Sequence, residues 1–266
     1  MIKQKAFMVA EYLRHWLRAE NAKGHGVHSP FVFDFIQTVL RDQRHFYAFD
    51  TMEQLRKELL QSKESIQVSD FGAGSHNGAG TERRITDITR MAARTPKQGQ
   101  FLFRLMQRYQ YRQVLELGTS MGIGTGYLAL SNSEASVHTI EGCANIAAQA
   151  KQNLQSIHAQ NVQFHLGNFD VILGDVLAKA PRWDLVFIDG NHREEPTRRY
   201  FEQACGHMSE KGVMLFDDIH WSEGMRAAWE TIRRDERVRL SIDLYYFGLV
   251  FFDSAFKEKQ DFVLPF

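Results

Sequence analysis

Two acidic tracts in the second half of the chain hold side chains able to do chemistry. One reads Phe187-Ile-Asp-Gly-Asn-His192 and the other Leu215-Phe-Asp-Asp-Ile-His-Trp221. Each begins at the end of an apolar run with strand character, so neighbouring parallel strands would bring Asp189, Asp217 and Asp218 to one crevice. Three carboxylates facing one cleft repel one another unless a cation or protons intervene. His192 follows Asp189 by three residues, and an imidazole with a pKa near working pH suits a general base. A plainer reading stands beside this one: His192 as a helix cap, Asp217 and Asp218 as turn residues.

A second constellation lies upstream, in Val114-Leu-Glu-Leu-Gly-Thr-Ser-Met-Gly-Ile-Gly-Thr-Gly126. An apolar strand runs into a glycine-rich turn, where the missing Cβ atoms let the backbone bend sharply and approach a ligand. Glu116 sits at the strand end, where a carboxylate would repel a pyrophosphate but suit a cationic ligand. Twenty-five positions on, Glu141 ends the next predicted strand, where an acidic side chain can take both ribose hydroxyls. The spacing Gly118-x3-Gly122-x-Gly124 is not the G-x-G-x-x-G of a dinucleotide site. Adenosine with a positive, phosphate-free tail fits better than NAD. A tight structural turn is the competing interpretation. The similar Asp70-Phe-Gly-Ala-Gly-Ser75 lacks a convincing strand before it and reads as a loop.

The elements that must position these residues follow an alternating pattern. Gln113–Leu117, Ser136–Glu141, Val162–Leu166, Asp184–Asp189 and Val213–Asp217 are β-rich, with 17 or more residues between successive runs. That spacing leaves room for one crossover helix apiece and predicts parallel strands. Val238–Asp243 and Tyr246–Phe252 are close enough for a terminal antiparallel hairpin. The fold class is α/β, a doubly wound, Rossmann-like sheet of seven strands, five parallel plus the hairpin. Residues 1–95 read as a helical N-terminal cap or lid segment and 96–266 as the main domain. Within the cap, Phe7, Leu13, Trp16 and Leu17 fall on one helical stripe. Helices are also expected over 31–39, 52–61 and 83–94, with a glycine-dense loop, Gly72 to Gly80, that could act as a lid.

Composition bounds the partners. The 266 residues carry no net charge, so no global field draws the chain to nucleic acid or an anionic membrane. No stretch approaches the ~18 apolar residues of a spanning helix, and the run from Ala6 to Ala10 is too short for a signal peptide. Two cysteines, Cys143 and Cys205, form no CxxC pair. A cytoplasmic protein without a membrane partner is expected, and the apolar N-terminal helices offer a surface for a homodimer.

With these residues together, the chain resembles the class I S-adenosylmethionine-dependent methyltransferases, most closely the catechol and caffeoyl-CoA O-methyltransferase branch. The resemblance covers roughly residues 98–252. It implies that Glu116, Gly118 and Gly122 line the methionine side of S-adenosyl-L-methionine and that Glu141 holds the ribose. Asn168 and Phe169 then meet the adenine, and Thr119, Ser120, Gly142 and Asp189 complete the cofactor set. It further implies Mg²⁺ or another divalent cation on Asp189, Asp217 and Asp218, where those relatives carry Asp, Asp and Asn. His192 stands where they carry a catalytic lysine, so His192 and Asp189 are the expected catalytic pair. The expected acceptor is a small-molecule oxygen. A nucleic-acid or protein methyltransferase, a nicotinamide-dependent oxidoreductase and a non-catalytic cofactor-binding module remain as alternatives.

Lesser candidates are His25 and His28 in the Gly24–Pro30 loop, Arg83, Arg84 and Arg90 as a basic face, and His220. Cys143, Trp221 and Trp229 read as packing residues.

Overall fold

A computed structural model describes residues 2–19, 28–69, 81–92 and 94–266. The chain begins with helix α1 (Ile2–Arg18), then α2 (Pro30–Phe35), which runs into a π-helical turn at Ile36–Leu40, and α3 (Tyr47–Gln61). Next come strands β1 (Ser65–Val68) and β2 (Thr81–Arg84) and helices α4 (Ile85–Ala92) and α5 (Pro96–Tyr109). Strands and helices then alternate: β3 (Gln113–Leu117), α6 (Ile123–Ser131), β4 (Ser136–Glu141), α7 (Ala144–Ser156), β5 (Val162–Leu166) and α8 (Phe169–Leu177). The alternation continues through β6 (Trp183–Ile188), α9 (Glu194–Cys205), β7 (Met208–Asp217) and α10 (Glu223–Arg234). Three strands close the chain: β8 (Leu240–Asp243), β9 (Phe247–Phe251) and β10 (Gln260–Val263).

Two compact units result, Asp42–Val176 and Met1–Arg41 with Leu177–Phe266. In Asp42–Val176, β3, β4 and β5 pair in parallel. Their core is apolar on both faces of β3, where Val114, Leu115 and Leu117 are all buried, as a strand covered by helices on each side requires. Helix α5 starts where the sequence dictates: Thr95 and Gln98 form a reciprocal capping box with Pro96 in the first turn. It buries Phe101, Leu102, Leu105 and Met106. In the other unit β6 and β7 are parallel, β7 and β9 antiparallel, and β8 pairs with both β9 and β10.

The α/β class and the mostly parallel sheet agree with expectation, and helices occupy each predicted crossover. The strand inventory needs two corrections. Gln260–Val263 adds an eighth sheet strand, parallel to β8, outside the hairpin that was expected to end the sheet. Ser65–Val68 is a strand paired antiparallel with Thr81–Arg84, so the helix expected from Arg83 starts at Ile85. These three strands are four residues each: Thr81–Arg84 is wholly polar, Gln260–Val263 does not alternate, and the alternation in Ser65-Ile-Gln-Val68 is too short to mark a strand in a sequence. The Gly72–Gly80 lid and the Asp70–Ser75 motif lie outside the described residues, as does His25.

Candidate active site

In the unit Asp42–Val176, the turn after β3 is built for close approach. Gly118 and Gly122 hold φ of +109° and +79°, the left-handed region where a Cβ is costly. Ser120 shares that region at +48° and points its N–H at Glu141, whose Oε2 accepts it at 3.0 Å. The Cys143 N–H reaches Glu141 Oε1, also at 3.0 Å. The Glu141 carboxylate is thus oriented by a backbone donor on each oxygen.

Glu116 is placed differently. It is 1% exposed, and its Oε2 accepts hydroxyls from Thr125 at 2.5 Å and Thr139 at 2.7 Å. Register explains Thr139, which lies directly opposite Glu116 on β4. Burial pushes the Glu116 carboxyl up to about 7; the two threonine hydroxyls and the Arg94 charge oppose that rise without cancelling it. Thr119 joins the same network through its hydroxyl, 2.6 Å from that of Thr139. Sequence reasoning missed Thr125, Thr139 and Arg94. The signal available was Thr125 in the first turn after the glycines, but only strand pairing shows Thr139 as a partner.

After β5, Asn168 Oδ1 accepts the Asp170 N–H at 2.9 Å, so this side chain caps α8 while its amide stays available to donate. Phe169, the first residue of α8, is half-buried, as is Gly142.

In the other unit, the structure brings Asp189, His192 and Asp217 together. Each offers a ligand atom, all within 4.8 Å of one another, and His192 Nε2 lies 4.0 Å from Asp189 Oδ1. Asp217 is buried at the end of β7, and Asp189 and His192 are half-exposed. The loop that carries His192 is held by Asn191, at φ +53°, whose amide donates to the Tyr200 hydroxyl at 2.9 Å. Asp218 is not in this group. It sits at φ +52°, with its N–H bound to the Tyr246 carbonyl and its carbonyl bound by Trp221. The two carboxylates at this separation fit a divalent cation with positions left for other oxygens. The imidazole stands close enough to serve either as a further ligand, which would favour Mn²⁺, Fe²⁺ or Zn²⁺ over Mg²⁺, or as a base beside the ion.

His220 belongs to a separate buried cluster. Its Nε2 lies 2.9 Å from Asp243 Oδ2 and its Nδ1 3.5 Å from Glu11 Oε2; its ring stacks on Tyr245. His15 Nε2 approaches Asp243 at 3.4 Å, and Arg226 binds Glu11 at 3.1 Å. Burial opposes ionisation of Asp243, but hydrogen bonds from His15 and His220 outweigh it and hold the carboxyl well below its usual range. Of the remaining candidates, Cys143 and Trp229 are buried as packing residues, whereas Trp221 is 42% exposed. Arg83 and Arg84 are exposed on β2, Arg90 pairs with Asp87, and His28 is exposed.

Residues 115–219 match the family described as a methyltransferase domain. A catechol O-methyltransferase of Niastella koreensis is 31% identical over 127 residues, 47% of this chain. The chain spans 56% of the length of that curated relative. Among solved structures, an O-methyltransferase from Bacillus cereus in complex with SAH is 20% identical, with 83% of this chain and 97% of that one covered and a TM-score of 0.55. A SAH-bound methyltransferase of Podospora anserina is 13% identical, covers 85% and 97%, and has a TM-score of 0.59. The fold is therefore that of the class I methyltransferases. Within that class, the similarity to catechol-type O-methyltransferases holds for the stretch that the Niastella relative matches.

Proposed function

We propose that the protein is an S-adenosylmethionine-dependent O-methyltransferase acting on a small-molecule acceptor with the help of a divalent cation. The observation that carries the reading is the Glu141 carboxylate, fixed by the Ser120 and Cys143 N–H groups at the mouth of a left-handed glycine turn. That arrangement presents two oriented acceptors to a ribose diol. Gly118 and Gly122 let the chain run close to the cofactor's amino-acid end, beside Glu116 and Thr119. Asn168 and Phe169 offer an amide donor and an aromatic face to adenine. The cofactor supplies an electrophilic methyl on a sulfonium, and transfer needs an acceptor oxygen held in line behind it.

Asp189 and Asp217 would hold the cation, which makes a coordinated hydroxyl more acidic and fixes its direction. His192, beside them, accepts the acceptor's proton, and the Asp189 carboxylate stabilises the imidazolium. With Cys143 and Cys205 both free thiols, we place the protein in a reducing, cytoplasmic compartment.

The test is calorimetry with S-adenosylhomocysteine, then mass spectrometry of catechol and acyl-CoA phenol acceptors incubated with S-adenosylmethionine, with and without EDTA. Micromolar nucleoside binding and a methylated product are expected. A protein that ignores the nucleoside at millimolar concentration would end the proposal.

A further inference from the structure

Helix α1 is attached by its polar side. Glu11 and His15 are 3% and 7% exposed, tied to Arg226, His220 and Asp243, and the Tyr245 hydroxyl donates to the Met8 carbonyl. The large apolar residues face outward instead. Val9, Tyr12, Leu13, Trp16 and Leu17 are 60%, 50%, 55%, 66% and 77% exposed. At helical periodicity these five share one stripe roughly 140° wide. An ordinary surface helix buries that stripe and shows its charges to water, so this reversal marks a surface with something else to cover it.

Charge identifies the occupant. The segment Ile2–Arg18 contains Lys3, Lys5, Arg14 and Arg18 against one acid, Glu11. Glu11 is already engaged by Arg226 and Arg14. A second α1 laid on the first would set a basic end against a basic end in either direction: each end meets its own copy when parallel, and the end carrying Lys3 and Lys5 in the sequence meets the end carrying Arg14 and Arg18 when antiparallel. Either arrangement is repulsive. An anionic surface with an apolar layer beneath satisfies both the cations and the stripe. The helix cannot cross a membrane: its 17 residues include the buried ion pair, and none of the described helices is long and apolar enough. It can lie in the interface plane, with Tyr12 and Trp16 of the types that settle at headgroup level.

We propose that α1 is an interfacial anchor that docks this protein on bilayers rich in anionic phospholipid. The expectation of no membrane partner rested on zero net charge and the lack of a spanning segment, and neither bears on one amphipathic helix.

The test is flotation of the full chain with vesicles of phosphatidylcholine alone or mixed with phosphatidylglycerol. Wild type should float with the anionic vesicles only. Arg18→Gln should lower partitioning about fivefold. The double change Leu13→Asp, Trp16→Asp should leave the protein at the bottom of the gradient, with circular dichroism and melting confirming that it is folded. Tryptophan emission should shift to the blue on anionic vesicles in wild type and not in Trp16→Phe. Absence of flotation would overturn the proposal. So would flotation insensitive to the stripe, or a solution dimer that the same double change dissociates.

Discussion

A carboxyl group with its pKa near 7, buried under two threonine hydroxyls, makes Glu116 an expensive residue to keep. In the unfolded chain it ionises near 4.5, whereas in the fold it ionises near 7. Below about pH 4.5 both states hold the proton and the residue costs nothing. Between the two values the cost grows, and above 7 it is constant at about 3 kcal/mol. Glu116→Gln should therefore stabilise the ligand-free protein by up to about 3 kcal/mol at pH 8 and by almost nothing at pH 4.5, read from urea unfolding at both. The same change should weaken S-adenosylmethionine binding, since a cationic tail favours the ionised carboxylate. Wild-type affinity should accordingly fall as pH drops below 7, with proton release on binding near neutrality. Equal stability of the two proteins at pH 8 would show that Glu116 is not held in this way. His192 allows a second residue-scale separation, between proton acceptor and metal ligand. His192→Ala should lower kcat about 10²-fold or more and remove the acidic limb of its pH profile, with Mn²⁺ affinity within a few-fold of wild type. A fall of a hundredfold in Mn²⁺ affinity by calorimetry would instead make the imidazole the third ligand.

At the scale of elements, the glycine turn and the attachment of α1 were legible to different degrees. Among the runs that became β3 to β7, Leu185–Ile188 and Val213–Phe216 are continuous apolar stretches and Val162–Leu166 alternates apolar with polar; all five are spaced for helices, so their positions could be read directly. The turn's left-handed residues could be read as well, and a substitution tests them. Gly122→Ala would put a Cβ at φ +79° and 3.2 Å from Leu154 Cγ. It should cost about 1–2 kcal/mol in chemical unfolding and weaken nucleoside binding, because Ser120 and Glu141 lose their mutual register. Helix α1 was visible as a helix, but its orientation was not. The stripe Leu13, Trp16 and Leu17 invites burial, yet the partners that decide the matter, His220, Arg226 and Asp243, lie more than two hundred residues away. Pairwise ionic contact over such a separation leaves no periodic trace. Asp243 is held ionised by His15 and His220, so its contribution is present above about pH 4 and is lost as the pH falls further. Asp243→Asn at pH 7 should speed amide exchange in Met8–Leu17, and unchanged protection there would contradict the anchoring role assigned to this carboxylate.

For the whole molecule, the chemistry divides along the compact units. The proposed nucleoside contacts Glu116, Gly118, Gly122, Glu141 and Asn168 fall within Asp42–Val176, and the proposed cation ligands Asp189 and Asp217 fall within the other unit. Spacing in the sequence could recognise each set but could not choose Asp217 over Asp218. The two are adjacent, and the choice is made by the positive φ of Asp218 and its backbone tie to Tyr246, which belongs to the hairpin turn. Ligands that bind the native state stabilise it by mass action, about 2.7 kcal/mol at a hundredfold excess over Kd. Hydrogen exchange then locates where that stabilisation acts. S-adenosylhomocysteine should slow exchange chiefly at Gly118–Gly122 and Gly142–Cys143, while Mn²⁺ alone should slow it at Gly190–Arg193 and Asp217–Ile219. In Asp217→Asn the Mn²⁺ footprint should vanish with the nucleoside footprint intact, whereas in Asp218→Asn both should persist. Loss of the Mn²⁺ footprint in Asp218→Asn would return the third carboxylate to the metal site and require the loop after β7 to turn over on binding.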